Sequence, residues 1–319
     1  MLEVIQPGPF TTVQDCGRRG YQRYGVSVTG VMDRQSHILA NLLVGNEPQE
    51  ATFEITFSGA KFKFHRSTTI AIAGADMTPL INGEPIHTGR PVFIPSGSEL
   101  HFSKMKSGCR TYLAVTGGWD IPSVLKSKST FLRAGIGGFK GRALCKGDEI
   151  AYSEQSLAQH NSEDWHVSSD RWWKRGHVRV IKGPESNQFT SEQLKQFTNF
   201  PYKVSPQSDR MGYRLQGEGI KKENSLEMIS EPVTFGTIQL PSDGQPIILM
   251  ADRQTTGGYP RIGQVIEADL CILAQKKPGE TIQFEWVDIE QARMLSKAVH
   301  QWMKEVDASI ALRRKQDAE

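Results

Sequence analysis

Little in this sequence points to a metal, a membrane or a nucleic acid. Its 319 residues hold four cysteines, Cys16, Cys109, Cys145 and Cys271, widely spaced and without a C-x-x-C pair. Thiols scattered in this way exclude a disulfide framework or a zinc ribbon and predict reduced, mostly structural cysteines. The eight histidines are equally dispersed, so no metal site is assigned. Basic and acidic side chains nearly balance, 38 against 35, for a net charge of +3. With no basic block to neutralise phosphates, nucleic-acid binding is excluded. No apolar run approaches the ~20 residues of a membrane span. The first residues, MLEVIQPGPF, read as a strand and not as a charged-then-apolar leader, so a cytoplasmic protein is expected.

What is present is a globular, strand-rich chain. Hydrophobic residues make up 38% and charged residues 23%, enough apolar content for a real core. Short β-type runs recur along the chain: Leu2–Gln6, Phe53–Phe57, Thr69–Ala73, Arg90–Ile94, Glu99–Phe102, Thr111–Val115, Val178–Ile181, Thr237–Leu240, Pro246–Met250, Leu270–Ala274 and Thr281–Trp286. Turn signals such as Asn82-Gly83, Ser96-Gly97 and Lys277-Pro278-Gly279 separate them. Many short strands with such breaks predict barrels or sandwiches. Helices are few. Asp33 sits at an N-cap position before Ile38, Leu39, Leu42 and Leu43, and Gly45 at a stop, which predicts a helix near 34–44. Asp288 and Gln291 form a capping box ahead of an amphipathic stripe through Leu295, Val299, Trp302, Val306 and Ile310. The polar, aperiodic stretch after Ser153 reads as a linker. The expected organisation is an N-terminal β-rich domain at 1–152, a linker at 153–176, a second β-rich domain at 177–287 and a C-terminal helix at 288–314.

The richest stretch chemically is GQPIILMADRQTTGGYPRI. Four apolar residues, Ile247 to Met250, empty into Asp252, Arg253, Gln254, Thr255, Thr256, two glycines and Tyr259. Rigid β scaffolds carry their binding groups on loops of this kind. Four further polar, glycine-containing segments stand out: 11–21 with Asp15 and Arg18, 30–33 with Asp33, 127–138 with Arg133, and 208–214 with Arg210. An arginine fork suits carboxylate, phosphate or carbamate oxygens, and an aspartate accepts a proton or holds an arginine. Each Asp–Arg pair also has a plain alternative as a structural ion pair or cap, above all Asp33 as an N-cap. The glycines at 135–138 match neither a P-loop nor a dinucleotide fingerprint.

Taken together, TVQDCGRRGYQRYGV, SVTGVMD, YLAVTGGWDIPSVLKSKSTFLRAGIGG, SDRMGYRL and GQPIILMADRQTTGGYPRIG resemble the KipA family, also known as the C subunit of 5-oxoprolinase or the biotin-dependent carboxyltransferase subunit family. The resemblance covers residues 4–286. It implies a mainly β fold of two barrel-type domains related to cyclophilin. It also implies two partners, one KipI-like and one LamB/YcsF-like, forming with this chain an ATP-dependent 5-oxoprolinase that opens 5-oxo-L-proline to L-glutamate. Family members elsewhere antagonise a KipI-like inhibitor of a histidine kinase, or act within urea carboxylase as a carboxyltransferase on urea. Both stay open as alternatives.

The chain lacks a KipI-like half, a P-loop and an Ala-Met-Lys-Met biotin site; Lys104-Met105-Lys106 inverts that order. ATP is therefore expected at the level of the complex, biotin is not attached to this chain, and the chain alone is expected to be inactive. ATP-driven lactam opening needs cations for carboxylate and phosphoryl oxygens, for which Arg18, Arg133, Arg210 and Arg253 are candidates. It needs groups that read the lactam amide, for which Gln245, Gln254, Thr255, Thr256 and Tyr259 are suited. A carboxylate must take the proton: Asp252 first, Asp15 second, with Tyr259 as a third catalytic candidate. These residues are expected to meet in one cleft that a companion polypeptide completes.

Overall fold

The computed structural model describes residues 1–153, 165–168, 170, 172–220 and 228–318. Most of the expected linker therefore lies outside the described residues. The chain forms two compact units. The first comprises Met1–Arg18, Thr29–Arg171 and Gln301–Glu319; the second comprises Arg19–Val28 and Trp172–His300. Among the described residues no helix is long and apolar enough to cross a membrane.

The first unit contains β1 (Leu2–Pro7), β2 (Phe10–Gln14), α1 (Arg34–Val44), β3 (Thr52–Thr56), β4 (Ala60–Phe64), β5 (Thr68–Asp76), β6 (Pro79–Ile81), β7 (Glu84–Pro85), β8 (Pro91–Ile94), β9 (Glu99–Phe102), β10 (Ser107–Val115) and β11 (Glu149–Ile150). They make a six-stranded sheet, β11-β1-β4-β9-β6-β7, and a five-stranded sheet, β2-β3-β10-β5-β8. One core joins them: Leu2, Phe62 and Leu100 come from the first sheet and Val13, Phe53 and Leu113 from the second. Period-two alternation sets the faces. In β4, Phe62 and Phe64 are buried while Lys61 and Lys63 are half-exposed. In β3 both faces are covered, so all five residues are buried. Its Phe53 stacks on Trp119 at 4.0 Å in the core, while Thr52 and Glu54 bond to His37 and the Met32 amide. Helix α1 begins as expected, with the Asp33 carboxylate accepting from Ser36 N, and ends at Gly45 with positive φ.

The second unit contains β12 (His177–Lys182), α2 (Ser191–Asn199), β13 (Tyr202–Val204), β14 (Gly212–Gln216), β15 (Glu231–Pro232), β16 (Thr237–Gln239), β17 (Ile247–Leu249), β18 (Thr256–Gly257), β19 (Arg261–Val265), α3 (Leu270–Ala274) and β20 (Thr281–Trp286). Seven strands close into a barrel in the order β12-β19-β16-β17-β14-β13-β20, with β12 and β20 parallel. Strands β15 and β18 form a separate two-stranded ribbon. Helix α4 (Ile289–Ala318) follows, opened by the expected capping box, in which Gln291 N donates to Asp288 and the Gln291 side chain accepts from Asp288 N.

One expected strand is corrected. Leu270–Ala274 is helix α3, following a 3-10 turn at Glu267–Asp269. A five-residue apolar run carries no period that separates a buried strand from a buried helix. Asp269, just ahead of it, binds the Arg179 backbone N–H and guanidinium on β12 and pins the turn there. Helix α2 was not expected, although Thr190 and Gln193 spell the capping box that the structure forms.

Candidate functional site

The candidate residues divide between the units. Asp15, Arg18 and Arg133 belong to the first; Arg210, Gln245, Asp252, Arg253, Gln254, Thr255, Thr256 and Tyr259 belong to the second.

In the first unit the chain leaving β2 meets the loop around Ser127–Thr130. The Asp15 carboxylate is 8% exposed. Its Oδ1 accepts from Gly17 N at 2.7 Å, Ser127 Oγ at 2.7 Å and Ser129 Oγ at 2.5 Å, and its Oδ2 from Lys128 N at 2.5 Å. These charge-assisted bonds tie β2's exit to the loop. Arg18 is fully buried and donates to Thr29 Oγ1 at 2.7 Å and to the Ser129 carbonyl. The backbone around this knot is strained. Thr29, Leu125 and Lys126 all have positive φ, at 58°, 52° and 60°. Such residues cost about 1–3 kcal/mol each and collect at functional sites. Gly30, at φ 92°, lets the chain lie against Asp15–Gly17, where a Cβ would come within 2.9 Å of Gly17 N. Arg133 is exposed on the 3-10 turn Leu132–Ala134.

In the second unit β17 delivers Met250, Ala251 and Asp252, all buried. Asp252 takes a two-point ion pair from Arg210, with Nε and Nη2 each 2.9 Å from a carboxylate oxygen. The backbone reinforces it, since Asp252 N donates to the Arg210 carbonyl at 2.7 Å. The segments 208–214 and 251–260, far apart in sequence, are thus locked together at their Asp–Arg pair. Beyond it the loop opens: Gln254, Thr256 and Tyr259 are exposed, and Thr255 is half-buried. Gln239, buried at the end of β16, donates to the Tyr259 carbonyl at 3.4 Å. Gly257 fits against it because a Cβ there would stand 2.4 Å from Gln239 Nε2. Arg253 is half-buried, and burial lowers its guanidinium to about 10, with Arg19 adding to the shift and Asp252 opposing it. Gln245 spans to Gly217, accepting from its N–H at 2.9 Å and donating to its carbonyl at 3.1 Å.

Sequence reasoning passed over several residues that build these loops. Ser127 and Ser129 were visible only as part of a Ser-Lys-Ser-Thr run. Glu54, fully buried, accepts from Tyr112 Oη and Met32 N. Its signal was a carboxylate between Phe53 and Ile55 in a short β run. Gln239 and Ser27 carried no signal of their own.

A closed barrel and a two-sheet unit, each with polar, glycine-rich loops at its strand exits, define a β-scaffolded protein with loop-borne chemistry. The chain belongs to the family described as carboxyltransferase domain, subdomain A and B, which matches residues 24–286. It is 39% identical over 292 residues to the C subunit of 5-oxoprolinase from Escherichia coli, covering 92% of this chain and 93% of that protein. It is 34% identical to the C subunit of 5-oxoprolinase from Haemophilus influenzae, over 93% of this chain and 94% of that one. Urea amidolyase of Saccharomyces cerevisiae is 34% identical over 97% of this chain, which spans 18% of that much longer protein. Among solved structures, Kluyveromyces lactis urea carboxylase superposes with a TM-score of 0.86 at 32% identity, over 96% of this chain and 29% of that one.

Proposed function

We propose that this chain is the C subunit of an ATP-dependent 5-oxoprolinase, opening the lactam of 5-oxo-L-proline to L-glutamate together with a KipI-like partner and a LamB/YcsF-like partner. The observation that carries this reading is the end-to-end match to two bacterial proteins of that name, each covered over more than nine-tenths of its length.

Amide resonance makes a lactam carbonyl a poor electrophile. ATP removes that protection by phosphorylating the carbonyl oxygen, with ADP leaving. Water then adds to the carbon and the ring C–N bond breaks, leaving an acyl phosphate, which a second water hydrolyses to the side-chain carboxylate of glutamate and phosphate. In this scheme the exposed Gln254, Thr256 and Tyr259 read the lactam N–H and C=O. Arg210 and Asp252 hold the loop that presents them, and Asp15 with Arg18 holds the strained loop of the first unit, where Arg133 stands exposed. ATP is handled by the assembled complex, and the isolated chain turns nothing over.

The test is reconstitution. The chain purified with its KipI-like and LamB/YcsF-like partners should release glutamate from 5-oxoproline only when ATP is present. A correctly assembled trio that leaves 5-oxoproline untouched defeats the proposal. The likeness to urea amidolyase and urea carboxylase supports a second reading, carboxyl transfer to urea or a similar amide. That reaction needs a biotin carrier, so inhibition by avidin separates the two.

A further inference from the structure

We propose that Arg19 and Arg253 form a two-arginine site in the second unit that binds an oxyanion of the ligand, a carboxylate or a phosphoryl group. The segment Arg19–Val28 belongs to this unit. It is fastened to the 251–260 loop where the buried Ser27 hydroxyl donates to the Arg253 carbonyl at 2.7 Å. The Arg19 charge reaches Arg253 and, after burial, lowers its guanidinium, while Asp252 opposes the shift.

The hydrogen-bond inventory of the pair is lopsided. A guanidinium has five N–H donors. Arg253 uses one Nη on the Met250 carbonyl at 3.3 Å, and its Nε is buried without an acceptor. Its sequence neighbour Asp252 gives its oxygens to Arg210. Arg19 is exposed and makes no hydrogen bond or ion pair among the described residues. Elsewhere in the unit, partly or wholly buried guanidiniums meet carboxylates: Arg179 meets Asp269, Arg210 meets Asp252 and Arg261 meets Glu185. Arg253 departs from that pattern, and a half-buried cation that feels a second cation, with an unmet donor, is the complement of an anion. Burial and the Arg19 charge together push protons off Arg253, and a bound anion reverses that push. Arg18, one position before Arg19, is fully buried and uses its two terminal nitrogens on Thr29 Oγ1 and the Ser129 carbonyl, while its Nε, like that of Arg253, has no acceptor.

The site lies on the loop of the proposed function and rests on that reading only for which anion is physiological. The test uses the full chain alone, titrated calorimetrically with inorganic phosphate and separately with 5-oxoproline and with acetate. The wild type should bind at least one of these. R253Q should weaken that binding about tenfold or more, R19Q by a smaller factor, and R253K should recover part of it. Binding of phosphate alone assigns a phosphoryl group; binding of the carboxylates alone assigns the substrate carboxylate. R19Q changes an exposed side chain and guards against misfolding of the Arg253 variants. The inference is overturned if the wild type binds none of the three, or if R253Q and R19Q bind as tightly as wild type. Anion binding in a trio that does not open 5-oxoproline would leave this site standing and remove the proposed reaction.

Discussion

Replacing Arg210 by methionine should cost the second unit roughly 3–5 kcal/mol, and replacing Asp252 by leucine as well should return most of it. The pair is buried, with side chains 6% and 7% exposed. At ~4 Å and an effective dielectric of about 20, the Coulomb attraction is about 4 kcal/mol. Taking two ions out of water costs several kcal/mol each, so the intact pair contributes little net stability. Arg210→Met removes the attraction and leaves the Asp252 carboxylate buried without its cation, which is where the full penalty appears. Arg210→Met with Asp252→Leu removes both charges and keeps apolar volume, a change that is often neutral or stabilising. The backbone bond from Asp252 N to the Arg210 carbonyl, at 2.7 Å, survives in every variant and should keep the two segments in register. The assay is a double-mutant cycle by thermal unfolding. At roughly 2–4 °C per kcal/mol, the single variants should melt about 10 °C lower. Hydrogen exchange at the Asp252 and Gly212 amides localises the loss to these segments. Single substitutions that cost under about 1 kcal/mol, or a double variant no more stable than the singles, would refute the assignment of this pair as the loop's anchor.

Two further consequences are testable. Burial drops the fully buried His37 imidazole from 6.5 to about 4, against the upward pull of Asp15 and Glu54. The unfolded chain therefore binds the extra proton first, and stability present above pH ~6.5 falls by about 3 kcal/mol as the pH drops towards 4. Urea unfolding of wild type and His37→Leu at several pH values between 7 and 4 should show curves converging as the pH falls; parallel curves would remove the assignment. Gly257→Ala should disturb the loop because its Cβ meets Gln239 Nε2 at 2.4 Å. Shortening the obstacle with Gln239→Ser should restore the melting temperature, and a Gly257→Ala defect that Gln239→Ser leaves unchanged would show that the cause is not steric.

Much of the fold was legible because strands and helix ends carry local signals. Glu99–Phe102 and Thr281–Trp286 alternate and are bounded by turns, and both are strands with those bounds. Asp33 and Asp288 sit one residue before helices and cap them. Leu270–Ala274 was misread because burial on all sides erases the period that tells strand from helix. The closure of the second unit into a barrel was less visible, since the parallel β12–β20 pair joins segments about 100 residues apart and no local pattern encodes it.

The sequence marks the residue types of the candidate site but not the partners each side chain takes, and the reason is electrostatic. In a folded chain a buried charge must find a partner. The aspartates and arginines most conspicuous in the motifs are therefore the ones most exposed to capture by the scaffold. Asp15 is taken by Ser127, Ser129 and two backbone amides, Arg18 by Thr29 and Ser129, and Asp252 by Arg210. Each capture depends on which distant segment the fold brings close, and spacing in the sequence carries no trace of it. The groups left over are the exposed Gln254, Thr256 and Tyr259, and Arg253 with Arg19, which are 234 positions apart yet lie in one unit. If scaffold capture is the sorting rule, conservative changes should divide the two sets. Arg18→Lys and Asp15→Asn should lower the melting temperature by several degrees, because each loses bonds worth about 1.5–3 kcal/mol apiece. Gln254→Ala and Tyr259→Phe should leave melting within about 1 °C, in keeping with exposed positions, and change only turnover in the reconstituted complex. Exposed-loop variants that unfold the chain, or buried-knot variants that leave it fully stable, would break the rule.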